Sequence, residues 1–555
     1  SLFILFILPT SQGEESLGES LYDNHCSDCH SLNLRGSAHG SSLLGKEFIT
    51  KWEEHGLNKL FEYTKEKMPP GKIGSISDED LLKIHNYILT SNEISDDDGF
   101  VSFRDPSTID QPEDRVSNFK NKILNNFKNI NLQNINYPPD SDWLSWRRTT
   151  DGKGYSPLKI INTKNVKNIK LSWSLTMNKG SNQITPIVSQ GIMFLTNPGN
   201  IIQALDAKNG ELIWEYRYNF PKASKTLGGP TRNIAVYKDK IFLATYDAHL
   251  IALDIRTGKL VWKTKKARYE DGYTHTSGPI IANGIVISGI NGCERYIKES
   301  CFITGHDPDT GKEIWRTSTI AQEEDKNGFT WGETPSVFRA GGDTWIPGSY
   351  DPKLNLFFIG TSQAKPWVAA SRGMTPENSA LYTNSTLALN PNNGEIKWFY
   401  QHIPGETIDM EVGFERVLID HKSKKYLFTI GKDGILWKLN RENGDFVKLL
   451  ETVDQNIYEK INYKTGELTY RNDILNSKID KAFSVCPGIY GGHNWQAISY
   501  DEINRSLIIP LHQLCADMIG RKVERIEGSG GFGADSKSYA LPGANGIIND
   551  LFISS

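Results

Sequence analysis

Cysteine is scarce in this sequence, six in 555 residues, too few for a disulfide scaffold, so each one needs its own account. Long apolar runs are missing too. No stretch approaches the roughly 20 consecutive apolar residues that a membrane-spanning helix requires, so no integral membrane segment is expected. Nor does one sign of charge dominate: 62 Lys and Arg stand against 66 Asp and Glu, a formal net charge of −4. That balance argues against a protein that wraps a polyanion, and no nucleic-acid partner is expected. What the chain has in quantity is turn-forming and aromatic material, 49 Gly with 13 Trp, 22 Tyr and 23 Phe, suited to many tight turns and flat aromatic packing. At about 150 residues per domain the length corresponds to several domain equivalents.

Residues Leu2 to Leu8 (LFILFIL) form a short apolar run followed by Pro9, Thr10, Ser11 and Gln12. This has the length of a signal-peptide h-region. No initiator Met or basic stretch precedes it, so residues 1–13 read as the remnant of an export signal, with a buried N-terminal strand as the alternative. A periplasmic location is the expectation.

Cys26, Cys29 and His30 (CSDCH) follow a stretch in which Leu17 and Leu21, and Gly18 and Tyr22, lie four apart on a helical face. The C-x-x-C-H spacing lets two thiols bond the haem vinyl groups while the adjacent His ligates iron. Met68, in KMPPG, offers a thioether on a proline-stiffened loop as the second axial ligand; a core-filling role is the alternative. Ser77 and Asp80 resemble a capping box, predicting a helix over Asp80 to Thr90 with Leu81, Ile84 and Ile88 on one face. A zinc site would need a second ligand pair nearby and a thioredoxin-like pair a preceding strand, and neither is present. Residues 14–94 resemble the class I cytochrome c family, which implies a small all-α domain with covalent haem c. Residues 95–140, rich in Asp, Asn and Lys without sustained apolar periodicity, read as a linker, with a short helix near Val116 to Phe127.

Beyond Trp143 one phrase recurs: ALDAKNGELIW (204–214), ALDIRTGKLVW (252–262), GHDPDTGKEIW (305–315) and ALNPNNGEIKW (388–398), with a weaker KLNRENGDF from 438. In each copy an alternating strand reaches Asp or Asn, turns through Gly and resumes as a strand ending in Trp. The first two steps suit one four-stranded blade each, and the longer third step leaves room for an insertion. The phrase A-L-D-x-x-T-G-x-x-x-W resembles the tryptophan-docking repeat of the pyrroloquinoline quinone (PQQ) dehydrogenases. That resemblance implies an all-β, eight-bladed-type propeller over 141–555, expected to be incomplete at its C-terminal blades.

The same resemblance assigns candidate site residues. Glu294, in GINGCE, matches a metal-binding Glu, and Asn291, Gly292 and Cys293 match backbone that meets the cofactor. Trp345, in GGDTWIPGSYDPKLNLFFIGT, matches the Trp that floors the quinone, where offset stacking on a planar ring is favourable. Gln363 stands where the family has a metal-ligating Asn. Arg232, Thr276, Lys432 (GKDG), Asn494 and Trp495 (GGHNW) match polar and aromatic contacts to the quinone. In PGETIDME, Asp409 matches the catalytic base, which would remove the hydroxyl proton from an alcohol while hydride passes to the quinone. Glu411 stands where lanthanide-using relatives carry an extra carboxylate; the ordinary alternative is an ion pair with a nearby Lys or Arg. Ca2+ and a lanthanide both remain open for a site of Glu294, Gln363, Asp409 and Glu411.

Some features depart from the family pattern. The stretch Thr226, Leu227, Gly228, Gly229 replaces a pair of adjacent cysteines, and Gln183 replaces a Glu ahead of the first repeat. Export permits disulfides, Cys293 with Cys301 and, resembling a family bridge, Cys486 with Cys515. The function implied is a PQQ-dependent quinohaemoprotein alcohol dehydrogenase, passing electrons from an alcohol through the haem to an external cytochrome c or terminal oxidase. A PQQ sugar or aldehyde dehydrogenase, and a non-catalytic propeller with an electron-relay haem, are the alternatives.

Overall fold

The computed structural model describes residues 11–30, 34, 41–53, 57–69, 73–92, 115–118, 122–178, 180–221, 229–540 and 551–554. The apolar run at 2–8 and the residues Thr226, Leu227 and Gly228 lie outside the described residues. Among the described residues no helix is long and apolar enough to cross a membrane.

The N-terminal region is all-α, with helices Ser11–His25, Ser27–His30, Lys46–Glu53, Leu57–Lys67 and Asp78–Ser91. The last of these begins two residues earlier than the sequence pattern predicts, because Ser77 itself is the N-cap and its Oγ accepts from the Asp80 amide. First and last helices cross closely at Gly18. A Cβ there would lie 2.5 Å from the Lys83 carbonyl oxygen and 3.0 Å from Tyr87 Cβ, so only glycine permits this crossing. The helices enclose Tyr22, Leu34, Phe48, Ile49, Trp52, Leu60, Ile84 and Ile88.

The second region is built of antiparallel four-stranded sheets. Three of them run in simple meander order: Ala235–Tyr237, Lys240–Ala244, His249–Asp254, Leu260–Lys265; then Ile280–Ala282, Ile285–Ser288, Phe302–His306, Glu313–Ser318; and later Val417–His421, Lys424–Ile430, Ile435–Asn440, Phe446–Glu451. Between them, Ser349–Asp351, Leu356–Gly360, Ser385–Leu389 and Ile396–Gln401 form a sheet whose second and third strands are separated by residues 361–384. This insertion accounts for part of the long third step of the repeat.

The first sheet, Ile187–Ser189, Ile192–Asn197, Ile201–Asp206 and Leu212–Arg217, gains an extra strand, Arg115–Asn118, paired antiparallel to its outer edge. The expectation of a plain linker through residue 140, with a helix near Val116, therefore fails from residue 115 onward. The segment is a strand and then a 3-10 turn, Lys122–Asn126. Its Leu124, Phe127, Ile130 and Ile135 are buried in the core of the first sheets. Widely spaced apolar residues anchor this segment without any helical or strand period to announce it.

The repeated Gly and Trp meet between blades rather than within them. A Cβ on Gly258 would stand 2.6 Å from Cε3 of Trp214, on Gly311 2.5 Å from Trp262, on Gly394 2.4 Å from Trp315, and on Gly444 2.6 Å from Trp398. Each indole thus lies flat on the turn of the next repeat. Three of them also donate from Nε1 to a carbonyl of that turn: Trp214 to Ile255 at 3.1 Å, Trp262 to Pro308 at 3.1 Å and Trp315 to Pro391 at 2.8 Å. Trp173 docks on Gly210 in the same way, 2.6 Å from a Cβ built there, an earlier member of the series that the sequence phrase did not include. Every copy also carries a register shift at one position, Ala204/Leu205, Ala252/Leu253, Gly305/His306, Ala388/Leu389 and Lys438/Leu439.

This topology decides where function can sit. In an antiparallel meander the turn between third and fourth strands, which carries the repeat phrase, lies at one end. Loops between second and third strands, and those from one blade to the next, lie at the other end. Arg232, Thr276, Glu294, Trp345, Gln363, Asp409, Glu411 and Lys432 all fall in loops of this second kind.

Candidate functional site

Two sites emerge. In the helical region a cavity of about 310 Å3 is lined by Cys26, His30, Phe48, Trp52, Leu60, Tyr63, Met68, Ile84 and Ile88 among others. His30 comes from the short helix following the first, and its Nδ1 lies 2.7 Å from the Ser41 carbonyl oxygen. That bond puts the proton on Nδ1 and leaves Nε2 as the free lone pair, the arrangement a metal-ligating imidazole needs. Burial lowers the His30 pKa against the raising effect of Ser41, which keeps the ring in the neutral form able to ligate. Met68 lines the same cavity on a different wall segment. The Cys29 side chain lies outside the described residues. A haem fits the residues present: apolar walls, one anchored His, one Met and Cys26.

In the propeller, Lys432 is the hub. Its Nζ lies 2.9 Å from Asp409 Oδ2 and 2.7 Å from Glu411 Oε1, all three side chains being buried. The other Glu411 oxygen accepts from Trp345 Nε1 at 2.8 Å. The two carboxyls respond differently to this shared ammonium. Burial pushes the Asp409 carboxyl well above the usual range, with Glu411 and Glu406 adding to the rise against Lys432. Burial also acts to raise Glu411, but Lys432, Ser362 and Trp345 together hold it below its ordinary value. Glu411 therefore forms the ion pair that is the ordinary reading of such a residue, and Asp409 Oδ1 is left buried without a hydrogen-bond partner.

The Asp409 backbone has φ +99°, a region that non-glycine residues rarely enter. Glu406 holds it there: one carboxylate oxygen accepts from the amides of Ile408, Asp409 and Met410 at 2.5, 2.6 and 2.8 Å. Glu406 is a positioning residue that sequence reasoning missed, although it stands three residues before Asp409 in PGETIDME.

The Arg232 guanidinium lies over the Trp345 indole, 4.5 Å from its centroid, and donates to the Thr276 carbonyl at 2.9 Å. Burial lowers the Arg232 pKa to about 9, with Glu411 and Tyr246 opposing. The Thr276 amide donates to Asn291 Oδ1 at 2.9 Å. Trp345 is further fixed by an edge contact with Phe414 at 5.3 Å. Arg232, Thr276, Asn291, Trp345, Asp409, Glu411 and Lys432 thus form one connected neighbourhood. Gly292 and Cys293 present their amides to Asp343 Oδ1 at 2.9 and 3.2 Å, so those two donors are already used within the chain. Asn494 accepts from the Trp495 amide and donates to the Tyr490 carbonyl at 3.2 Å, and Trp495 is 40% exposed; this pair is turned to solvent. Cys293 is bonded to Cys301 and Cys486 to Cys515.

Glu294 belongs to a second cluster. Lys365 Nζ lies 2.5 Å from Glu294 Oε1 and 2.9 Å from Asp343 Oδ2. Among the described residues the only group of three or more His, Cys, Asp or Glu side chains with ligand atoms within 4.8 Å of one another is Cys293, Cys301 and Asp343, and its sulfurs form a disulfide. The expected metal set of Glu294, Gln363, Asp409 and Glu411 is therefore not drawn together. Its carboxylates are paired with lysines instead, Glu294 with Lys365, and Asp409 and Glu411 together with Lys432. Asp343 lies inside the segment around Trp345 that carries the family resemblance and Lys365 lies two residues after Gln363, but nothing in one sequence marks them as a pair.

A family model described as PQQ, glucose/ethanol/alcohol dehydrogenase, β-propeller domain, matches residues 143–456. The chain belongs to this PQQ dehydrogenase family. A second model, cytochrome c oxidase, cbb3-type, subunit III, matches residues 13–88. Among curated proteins, this chain is similar to quinohemoprotein alcohol dehydrogenase ADH-IIG of Pseudomonas putida, 32% identical over 399 residues that cover 68% of this chain and 55% of that protein. It is also similar to quinoprotein ethanol dehydrogenase of Pseudomonas aeruginosa, 30% identical over 435 residues covering 70% and 69%. The chain thus spans little more than half the length of the first of these relatives. Among solved structures it superimposes on ADHIIG from Pseudomonas putida HK5 with a TM-score of 0.67 at 29% identity, covering 74% of this chain and 63% of that one. A europium-containing methanol dehydrogenase gives 0.68 at 25% identity, covering 74% and 75%. The propeller fold is that of the family, and the small helical region is consistent with a cytochrome c domain.

The donor chemistry of the central loops fits a hard cation. Glu294, Gln363, Asp409 and Glu411 offer only oxygen, and Gln363 Oε1, like Asp409 Oδ1, is buried without a partner. The Trp345 indole offers a flat aromatic surface of the kind that stacks on a planar quinone, with the Arg232 guanidinium lying over it.

Proposed function

We propose that this chain is the haem-bearing part of a PQQ-dependent alcohol dehydrogenase that works in an oxidising, exported compartment, with residues 14–94 as its cytochrome module and the propeller as its catalytic module. The observation that carries the reading is the buried pair of Asp409 and Lys432 beside Trp345 in a chain that also holds a His- and Met-walled haem cavity. The two disulfides suit such a compartment.

PQQ, when bound, supplies an electrophilic carbonyl carbon that takes hydride from a substrate. Trp345 would floor the quinone, and Arg232, Thr276 and Lys432 would meet its polar edge. Asp409 would take the alcohol proton at Oδ1, its one unpaired oxygen, while Lys432 stays hydrogen-bonded to Oδ2 and keeps the carboxylate oriented. Glu406 holds the Asp409 backbone in its unusual conformation through three amide hydrogen bonds. Glu294, once freed from Lys365, would join Gln363, Asp409 and Glu411 in holding Ca2+ or a lanthanide ion. His30 and Met68 would ligate the haem iron, with Cys26 and Cys29 as its covalent attachments, and electrons would leave to an external cytochrome c or oxidase.

The test is an anaerobic absorption spectrum of the protein supplied with PQQ and Ca2+ or La3+, before and after a primary alcohol is added. Haem reduction that requires PQQ and is lost in Asp409→Asn is the expected outcome. A haem that stays oxidised with alcohols but is reduced after sugars or aldehydes redirects the substrate class. A haem that only dithionite reduces overturns the dehydrogenase reading.

A further inference from the structure

Lys365 is a buried cation at the edge of the proposed site that the proposed chemistry does not use. It lies on the short strand Ala364–Lys365, two residues beyond Gln363 in sequence. Its ammonium bridges Glu294 at 2.5 Å and Asp343 at 2.9 Å, and it is almost fully excluded from solvent, as is Asp343. Asp343 is itself anchored, with Oδ1 receiving the amides of Gly292 and Cys293. The disulfide from Cys293 to Cys301 pins that backbone.

We infer that Lys365 is a built-in competitor for the metal: its ammonium occupies Glu294, and a cation can claim that carboxylate only by driving Lys365 onto Asp343. This rests on the proposed role of Glu294 as a metal ligand. The geometry supplies both halves of the exchange. Glu294 is the shared partner, and Asp343 is a fixed second carboxylate that keeps Lys365 paired after Glu294 is surrendered, so no buried ammonium is left uncompensated. Lys365 is thus an affinity-setting residue rather than a catalytic one. Its effect should be steeper for a divalent ion than for a trivalent one, because a higher charge competes better with an ammonium for the same carboxylate.

The experiment is calorimetric titration of the full chain with CaCl2 and, separately, LaCl3, with no quinone or substrate present. Lys365→Met should bind Ca2+ about tenfold or more tightly than the wild type, with a smaller gain for La3+. Asp343→Asn keeps an Oδ1 acceptor for the Gly292 and Cys293 amides but removes the charge that receives Lys365, and should weaken Ca2+ binding. Glu294→Gln should weaken binding of both ions. If Lys365→Met and Asp343→Asn match the wild type while Glu294→Gln binds more weakly, Glu294 stands as a ligand and the competition is refuted. If Glu294→Gln also matches the wild type, the ligand assignment falls and the inference with it. Should Lys365→Met fail to fold, the direction of the Asp343→Asn change decides.

Discussion

Gly258→Ala tests the physical claim on which the propeller rests, that each indole needs a bare glycine in the next repeat. An Ala Cβ would sit 2.6 Å from Cε3 and 2.8 Å from Cδ2 of Trp214, where carbon atoms normally approach to about 3.5–4.0 Å. Trp214 is fully buried and tethered through Nε1 to Ile255 at 3.1 Å, so it has to move by about 1 Å and strain or lose that bond, itself worth about 1 kcal/mol. Overpacking of this kind costs about 1–3 kcal/mol. Gly258 also has φ +70°, and an L-residue there costs a further 1–2 kcal/mol or so. Gly191 is the matched control: φ is +80° and nothing lies within 4 Å of its Cβ position. Gly191→Ala should therefore lose only the conformational part, about 1–2 kcal/mol, while Gly258→Ala loses about 2–3 kcal/mol more. Urea unfolding followed by tryptophan fluorescence measures both from the displacement of the midpoint. Equal losses in the two variants would refute the claim that indole docking, rather than backbone conformation alone, demands glycine at this position.

Three further outcomes are expected. Met68→His should keep covalent haem but lower its reduction potential, because an axial thioether favours the reduced iron more than imidazole does; a redox titration on the haem bands that finds no change would remove Met68 from the iron. Lys432→Met leaves Asp409 and Glu411 buried without their shared cation and should cost about 3–5 kcal/mol in thermal or urea unfolding, with haem reduction by alcohol abolished; a stable variant would show that the pair is hydrated. His85 is buried, and that burial lowers its pKa to about 4. The unfolded chain binds its proton near pH 6.5 and the folded one does not, so stability is intact above that pH and falls as pH drops toward 4, by up to about 3 kcal/mol. His85→Leu should flatten that slope in unfolding curves recorded between pH 7 and 4, and an unchanged slope would exclude His85 as its source.

Local chemistry made much of this protein legible before any fold was known. Cys26, Cys29 and His30 make covalent haem the natural expectation because two vinyl-bonding thiols and an adjacent iron-ligating imidazole need a fixed spacing. The repeated Asp–Gly–Trp phrase declares blades because each copy needs the same turn. The positions of Arg232, Trp345, Asp409 and Lys432 in blade-to-blade and second-to-third-strand loops follow from that meander, which sends all such loops to one end. What the sequence could not disclose is how charges pair across those loops. Lys365 with Glu294 and Asp343, and Lys432 with both Asp409 and Glu411, join residues from different blades, and no spacing along the chain encodes such a meeting. The segment from residue 115 departs from a plain linker for a related reason: its few apolar residues have no period of their own and become core only because the first sheet offers an edge and apolar neighbours to pack against. Even the glycine of the repeat had a second purpose hidden from the sequence. Its turn conformation is local, but the absence of its Cβ serves the tryptophan of the preceding blade, and only tertiary contact brings the two together.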